Sequence, residues 1–377
     1  MSSFTVSVVP EIRFGAGRLA DIAPLAEARA GKGAVVLLVA DPVLRAAGIT
    51  ARACELLAKA GIEARVYDGF TGEPGVTDID AAAALARQYG ARAVIGLGGG
   101  SALDTAKLVA CCAVSGEPAS AYALCVTPLP KNRLPIIAVP TTAGTGSEVT
   151  RVSVFADAQK VKVWAWGEEL KPDVAILDPE LTVGVPPEVT AGTGLDALVH
   201  AIEAATNKQA NPGNDLYCLK AISLIAASLE RAVMHPADIE ARGAMLLAAC
   251  YGGIGIDNCG TALAHNISHA VANLAPIAHG RATGIAMLAT MGWVAEGNAA
   301  GFARVAQAMG VDDPVAAYDR LVRASGITVS PGLSGVTPEE LAKHMAAPAN
   351  APMRKSTRRY PRDEDLVMLA ERFLTQV

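Results

Sequence analysis

The stretch Ala93-Val-Ile-Gly96-Leu-Gly98-Gly99-Gly100-Ser101-Ala-Leu-Asp104-Thr-Ala-Lys107 decides the fold. An apolar β-type run enters a cluster of glycines and leaves it as a helical sequence. A strand that turns through glycine into a helix exposes backbone N–H groups at the turn, and the helix adds the positive end of its dipole. That arrangement suits a pyrophosphate, and it suits a plain tight turn equally well. Ser101 stands where a strict G-x-G-x-x-G has its last glycine.

On either side of this stretch, short apolar runs at 35–40, 64–67, 136–139 and 174–177 join the one at 93–96, separated by Ala-rich helical sequence. Strands alternating with helices predict a doubly wound, mainly parallel sheet covered on both faces. Near Asp178-Pro179 and Val185-Pro186-Pro187 the rhythm stops, and patterns of period 3.6 follow at 192–205, 218–232 and 238–251. The expectation is an α/β protein with a nucleotide-binding domain over 1–185 and an all-helical domain over 186–377. Loops are expected at 330–332 and 346–352.

The chain has 377 residues, of which 51% are hydrophobic and 18% charged, with a net charge of −5. This is too apolar for a disordered chain and gives no basic field for nucleic acid or an anionic membrane. No run of about 18 apolar residues stands out as a membrane span. Small molecules are the expected partners. Seven cysteines without a CxxC pair fit buried thiols in a reducing cytosol, and the N-terminus has no secretory pattern, so a cytoplasmic location is expected.

A second loop, Pro140-Thr141-Thr142-Ala143-Gly144-Thr145-Gly146-Ser147-Glu148, follows the run at 136–139. Two such loops at strand C-termini converge where doubly wound sheets bind ligands. Asp41, at the end of the run at 35–40, is placed to accept from a ribose diol and to repel a 2′-phosphate, which favours NAD over NADP. An exposed loop acid is the plainer reading of it.

Four of the six histidines, His200, His265, His269 and His279, fall in two compact segments of the helical half. Asp196 and His200 are spaced i, i+4, as are His265 and His269, so each pair shares one helix face. One Asp and three His make an N/O ligand set without thiolate, suited to Fe(II), Zn(II), Co(II), Ni(II) or Mn(II). Thiolate-rich sets are the commoner structural sites; this one points to a catalytic metal.

In these residues the chain resembles the iron-containing, or group III, alcohol dehydrogenases. The likeness rests on five ordered segments: Gly98 to Lys107, Pro140 to Glu148, Pro172 to Pro179, Gly194 to Ala204, and His265 to Gly280. The resemblance implies that Asp196, His200, His265 and His279 hold the metal, with Fe(II) first and Zn(II) second. It implies His269 as the histidine that orients substrate and relays a proton. The implied NAD contacts are Asp41, Gly98, Gly99, Ser101, Asp104, Thr141, Thr142, Ser147 and Lys162. The implied activity is reversible hydride transfer between a primary or short-chain alcohol and NAD, by a homodimer or larger assembly. The β-prone segment 4–14 could pair across such an interface.

The sequence departs from the family at Val271-Ala272-Asn273, at Val152, and in the tail, where Arg354, Lys355, Arg358, Arg359 and Arg362 cluster. That tail suggests one alternative, a reductase for an anionic aldehyde or keto acid bearing a carboxylate, sulfonate or phosphonate. A sugar-phosphate cyclase or synthase, a lyase that uses NAD as an internal oxidant, is the other.

Overall fold

The structure, a computed structural model, describes residues 3–70 and 72–376. Among the described residues there are eight strands: β1 (Glu11–Phe14), β2 (Val35–Ala40), β3 (Glu63–Tyr67), β4 (Val94–Gly98), β5 (Ile136–Pro140), β6 (Val152–Ala156), β7 (Lys162–Trp166) and β8 (Val174–Leu177). Six form one sheet in the order β1-β8-β5-β4-β2-β3, and every pairing in it is parallel. The inner strands are apolar along their whole length because helices cover both faces. Leu37, Leu38, Ile95, Leu97, Ile137 and Ile176 have no exposed surface. Both edge strands, β1 and β3, are more exposed. Of the β-prone segment 4–14, the structure makes a strand only of Glu11–Phe14.

The strand order reverses between β2 and β4, since β3 lies outward of β2 on one side and β5 continues from β4 on the other. Ligands of open α/β sheets bind at such a reversal, outside the strand C-termini. Asp41 and Gly98 stand there.

The sequence reading did not anticipate the antiparallel hairpin of β6 and β7. Its alternation is clear in retrospect, with Phe155, Val163 and Ala165 facing the core, but each arm has only five residues.

Contacts divide the chain into two compact units. One, Val9–Thr142 with Ser147–Gly184, holds the sheet and hairpin. The other holds Ala143–Gly146, Val185–Val377 and the N-terminal residues through Val8. In the second unit the principal helices are Pro187–Thr206, Pro212–Met234, Ile239–Cys259, Leu263–Ala272, His279–Glu296 and Ala299–Met309. Their starts follow helix-capping chemistry. Proline occupies the first turn of Pro187–Thr206 and Pro212–Met234, while Asn211, Asp238 and Asn298 accept from backbone N–H groups of the helices they precede. Leu195, Leu198, Ile202, Ile222, Ile225 and Ile267 build the common core. The expected loop at 346–352 carries a 3₁₀ turn at Pro348–Asn350 and the start of the helix Ala351–Ser356.

Contrary to the expectation that no stretch could span a bilayer, the helix Ile239–Cys259 is long and apolar enough by length and composition. Most of it is buried among its neighbours, as a core helix is. Five cysteines, Cys111, Cys112, Cys218, Cys250 and Cys259, are buried as expected, and burial pushes the Cys111 and Cys112 thiols up to about 12. Cys125 departs from that expectation by being exposed.

Candidate metal centre and cofactor loops

The helix Pro187–Thr206 carries Asp196 and His200 one turn apart, and Glu203 continues the same face. His265 comes from Leu263–Ala272, and His279 is the first residue of His279–Glu296. Close packing brings these elements together. A Cβ on Gly280 would run into the carbonyl oxygen of Gly192, so glycine at 280 lets the His279 helix start directly against the Asp196 helix.

Three imidazole Nε2 atoms surround Asp196 Oδ1: His265 at 3.5 Å, His279 at 3.7 Å and His200 at 3.9 Å. These distances exceed those of good hydrogen bonds. They match atoms that share an ion, because tetrahedral ligands about 2.1 Å from a metal lie roughly 3.4 Å from one another. Asp196, His265 and His279 each offer an atom within 4.8 Å of the others. Asp196 Oδ1 and His265 Nε2 are buried without a hydrogen-bond partner. A buried carboxylate oxygen facing a buried imidazole nitrogen is costly unless something binds both. The donor set therefore fits a divalent metal.

Charge follows the same geometry. Burial alone would raise the Asp196 carboxyl, but the His200, His279 and His265 imidazoles bring it well below the usual carboxylate range. Burial pushes the His200 imidazole down. It would lower His265 as well, yet Glu203 and Asp196 hold that imidazole up at about 9.

Glu203, to which the sequence reading gave no role, is the carboxylate behind His265. Its Oε2 meets His265 Nδ1 at 2.7 Å, and its two oxygens accept from the backbone N–H groups of Ala262 and Ala264 at 2.6 and 2.7 Å. A carboxylate already accepting from two backbone N–H groups favours a proton on Nδ1, so the Nε2 that faces Asp196 is the nitrogen free to ligate once a metal displaces its proton. The available signal was its spacing, i+7 from Asp196 on the same helix. His269 lies beside the cluster, its ring 5.5 Å from that of His279 and 6.3 Å from that of His265. His279 is the most open of the ligand set, with 30% of its side chain exposed against 2–5% for the other three.

In the sheet unit, Gly98 ends β4 with φ +151°, and a Cβ there would lie 2.8 Å from the Cβ atoms of both Ala102 and Asp41. Glycine is required for that approach, which sets Asp41 beside the first loop. Gly99 precedes the sixteen-residue helix Gly100–Ser115, whose first turn contains the half-buried Ser101. Thr141 donates its backbone N–H to the Gly98 carbonyl at 2.9 Å, and a Cβ on Gly99 would sit 3.3 Å from Thr142 Oγ1, so the two loops touch. Asp104 and Ser147 face each other: Ser147 Oγ donates to Asp104 Oδ1 at 2.5 Å. Lys162 is largely buried and pairs with Glu73 at 3.0 Å.

The tail cations are mostly engaged. Arg354 donates to the Pro361 carbonyl and pairs with Asp363, Arg359 donates to the Trp293 carbonyl and to Glu296, and Arg362 pairs with Glu364. Arg358 lines a cavity of about 220 Å³ with Arg304 and Asp215.

Comparison with known proteins agrees with this geometry. The pattern of the iron-containing alcohol dehydrogenase family matches residues 10–179, and that of the C-terminal part of the Fe-containing alcohol dehydrogenase family matches 190–372. The chain is 41% identical to a probable alcohol dehydrogenase, EutG, of Salmonella typhimurium, over 77% of this chain and 73% of that protein. It is 32% identical to the sulfoacetaldehyde reductase of Bilophila wadsworthia, over 98% of this chain and 99% of the other. Among solved structures, the sulfoacetaldehyde reductase of Bifidobacterium kashiwanohense in complex with NAD+ superposes with a TM-score of 0.91 at 29% identity, covering all of both chains. Five ordered motifs, the two-part fold and the Asp/His cluster thus have one explanation: the chain belongs to the iron-containing alcohol dehydrogenase family.

Proposed function

We propose that this protein is a metal-dependent, NAD(H)-linked alcohol dehydrogenase and aldehyde reductase, holding a divalent ion, Fe(II) before Zn(II), on Asp196, His200, His265 and His279. The observation that carries the reading is the ring of three imidazole nitrogens within 3.9 Å of Asp196 Oδ1. When bound, the metal supplies Lewis acidity, making an alcohol hydroxyl easier to ionise and a carbonyl easier to reduce. The protein residues supply the rest. Asp196 brings the negative charge that neutralises part of the ion's. Glu203 keeps His265 in the tautomer whose Nε2 can ligate. His269, adjacent to the cluster but off Asp196, takes up the proton released on alcohol oxidation and returns it in reduction.

On the cofactor side, Gly98, Gly99, Ser101 and Thr142 offer small side chains and backbone N–H groups to a pyrophosphate at a helix N-terminus, and Thr141, whose N–H holds the Gly98 carbonyl, adds its hydroxyl. Asp41 accepts from the adenosine ribose and disfavours a 2′-phosphate, and Lys162 lies near the cofactor. When bound, the nicotinamide would supply the hydride acceptor for alcohol oxidation and the donor for the reverse reaction. The unbridged cysteines support a cytoplasmic location. The exposed Phe14 on edge strand β1 supports a homodimer or larger assembly.

The end-to-end likeness to a sulfoacetaldehyde reductase favours a second reading, an anionic short aldehyde as substrate. Arg354 is a weak candidate for reading that charge, because Asp363 and the Pro361 carbonyl already hold it. One assay tests both readings: anaerobic NADH oxidation by chelator-stripped protein, with Fe(II), Zn(II) or no metal, against neutral and anionic aldehydes of equal size. Turnover restored by metal is expected, and the preferred aldehyde decides between the readings. NADH and metal binding without net turnover on any aldehyde would overturn both and favour the internal-redox lyase.

A further inference from the structure

Lys107 is fully buried, an unusual place for an ammonium group. Its Nζ donates to Thr150 Oγ1 at 3.0 Å and to the Val152 carbonyl at 2.8 Å, and lies 3.4 Å from Asp104 Oδ1. Asp104, in the first turns of the helix that leaves the first glycine loop, is bound on both oxygens. Oδ1 accepts from Ser147 Oγ and Oδ2 from the Val154 backbone N–H at 3.0 Å, while its own carbonyl accepts from Ser153 Oγ at 2.9 Å. Ser147, Thr150 and Ser153 are all buried. Every one of these partners lies in 147–154, the exit of the second glycine loop and the start of the hairpin.

We infer that Asp104 and Lys107 are positioning residues, a buried ionic clamp that fixes the two glycine loops relative to each other. On this view Asp104 and Ser147, both expected from family likeness to contact NAD, serve each other instead. Holding a fully buried ammonium against a largely buried carboxylate costs desolvation that well-packed apolar residues would not. The retained pair gives directional bonds to four separate groups across more than forty residues of chain, which an apolar contact cannot do. The loops need that direction: Thr141 donates to the Gly98 carbonyl and a Cβ on Gly99 would meet Thr142 Oγ1, so a shift of the second loop moves the surface that receives the pyrophosphate. The inference rests on the NAD-binding reading of these loops.

The test is a double-mutant cycle on NADH affinity, read by fluorescence titration, with Asp104→Asn, Lys107→Met, their combination and Ser147→Ala. Ser147→Ala removes one bond without stranding a charge, so it keeps the test open if a charge variant fails to fold. Wild-type protein that does not bind NADH would sink the cofactor reading itself. Given wild-type binding, the clamp predicts that Asp104→Asn and Lys107→Met each weaken NADH about tenfold, and that the double variant loses little more than either single. Ser147→Ala should lose a fewfold, the KM for NADH should rise more than kcat falls, and metal affinity should be unchanged. A tenfold loss in Asp104→Asn that simply multiplies with a separate Lys107 effect, or an unaffected Lys107→Met, would make Asp104 a direct cofactor contact and overturn the clamp. Lowered thermal stability with unchanged NADH affinity in all variants would also overturn it, leaving the pair a structural ornament of the fold.

Discussion

The helical unit and the sheet unit hold two different kinds of site. In the helical unit, chemistry resides in side chains: one carboxylate and three imidazoles project from three helices onto a common point. In the sheet unit it resides in backbone and in missing side chains, with Gly98 allowing Asp41 and the loop to touch. A side-chain site tolerates backbone adjustment but not a change of residue type. A backbone site tolerates many residue types but not an added carbon at the turn. The two should therefore fail independently.

Crossing two variants breaks this comparison most directly. Asp196→Ala should abolish metal-dependent turnover, by roughly a thousandfold or more given the several kcal/mol that Lewis-acid stabilisation supplies. NADH affinity should stay within about threefold. Gly98→Val should do the reverse, because strain at φ +151° and overlap at 2.8 Å together cost about 3 kcal/mol, near a hundredfold in NADH affinity, with metal affinity intact. Fluorescence titration of NADH and chelator competition for Co(II), on the same preparations, give both numbers. Loss of both ligands in either variant would mean that the two sites are not separable.

A smaller effect sharpens the metal half. Glu203→Gln keeps the shape but leaves one acceptor oxygen where the carboxylate gives separate oxygens to the Ala262 and Ala264 N–H groups, and it no longer enforces the proton on His265 Nδ1. Such outer carboxylates are worth about 10–100-fold in metal affinity. Chelator competition should show a loss in that range with NADH affinity unmoved; an unchanged metal affinity would reduce Glu203 to a helix cap.

The contrast also explains what could be read from sequence. The Asp196, His200, His265 and His279 cluster was legible because histidine is scarce in this chain and its i, i+4 spacing carries geometry by itself. The parallel sheet was legible because fully buried strands such as Val35–Ala40 read as unbroken apolar runs. The β6–β7 hairpin was not, since two five-residue arms carry little periodicity. Glu203 and Lys107 were missed for a different reason. Each looks like an ordinary charged helical residue, and the partners of Glu203 and those of Lys107 other than Asp104 lie 59–62 and 43–45 residues away, so only the folded chain shows what they hold. Asp104 illustrates the converse. Its place in a family motif suggests a ligand contact, and only the fold shows that both of its carboxylate oxygens also accept from protein groups, Ser147 Oγ and the Val154 N–H.

The smallest effect on either ligand is expected at Glu148, next to Ser147 in the second loop. Burial holds its carboxyl up at about 7, with Lys107 pulling the other way, and Oε1 has no hydrogen-bond partner. A carboxyl that prefers its proton when folded stabilises the protein fully below its unfolded value of 4.5, less as pH rises through 4.5–7, and not at all above that range. From pH 5.5 to 7.5 the loss amounts to about 2 kcal/mol. Urea unfolding of wild-type protein should show a midpoint that falls over this interval, and Glu148→Gln, which carries no titrating proton, should flatten that fall while NADH and metal affinities stay within about twofold. A profile as steep in the variant as in the wild type would assign the pH dependence to other groups. A flattened profile accompanied by lost NADH affinity would show instead that the Glu148 carboxyl also shapes the loop, drawing the backbone site of the sheet unit closer in kind to the side-chain site of the helical one.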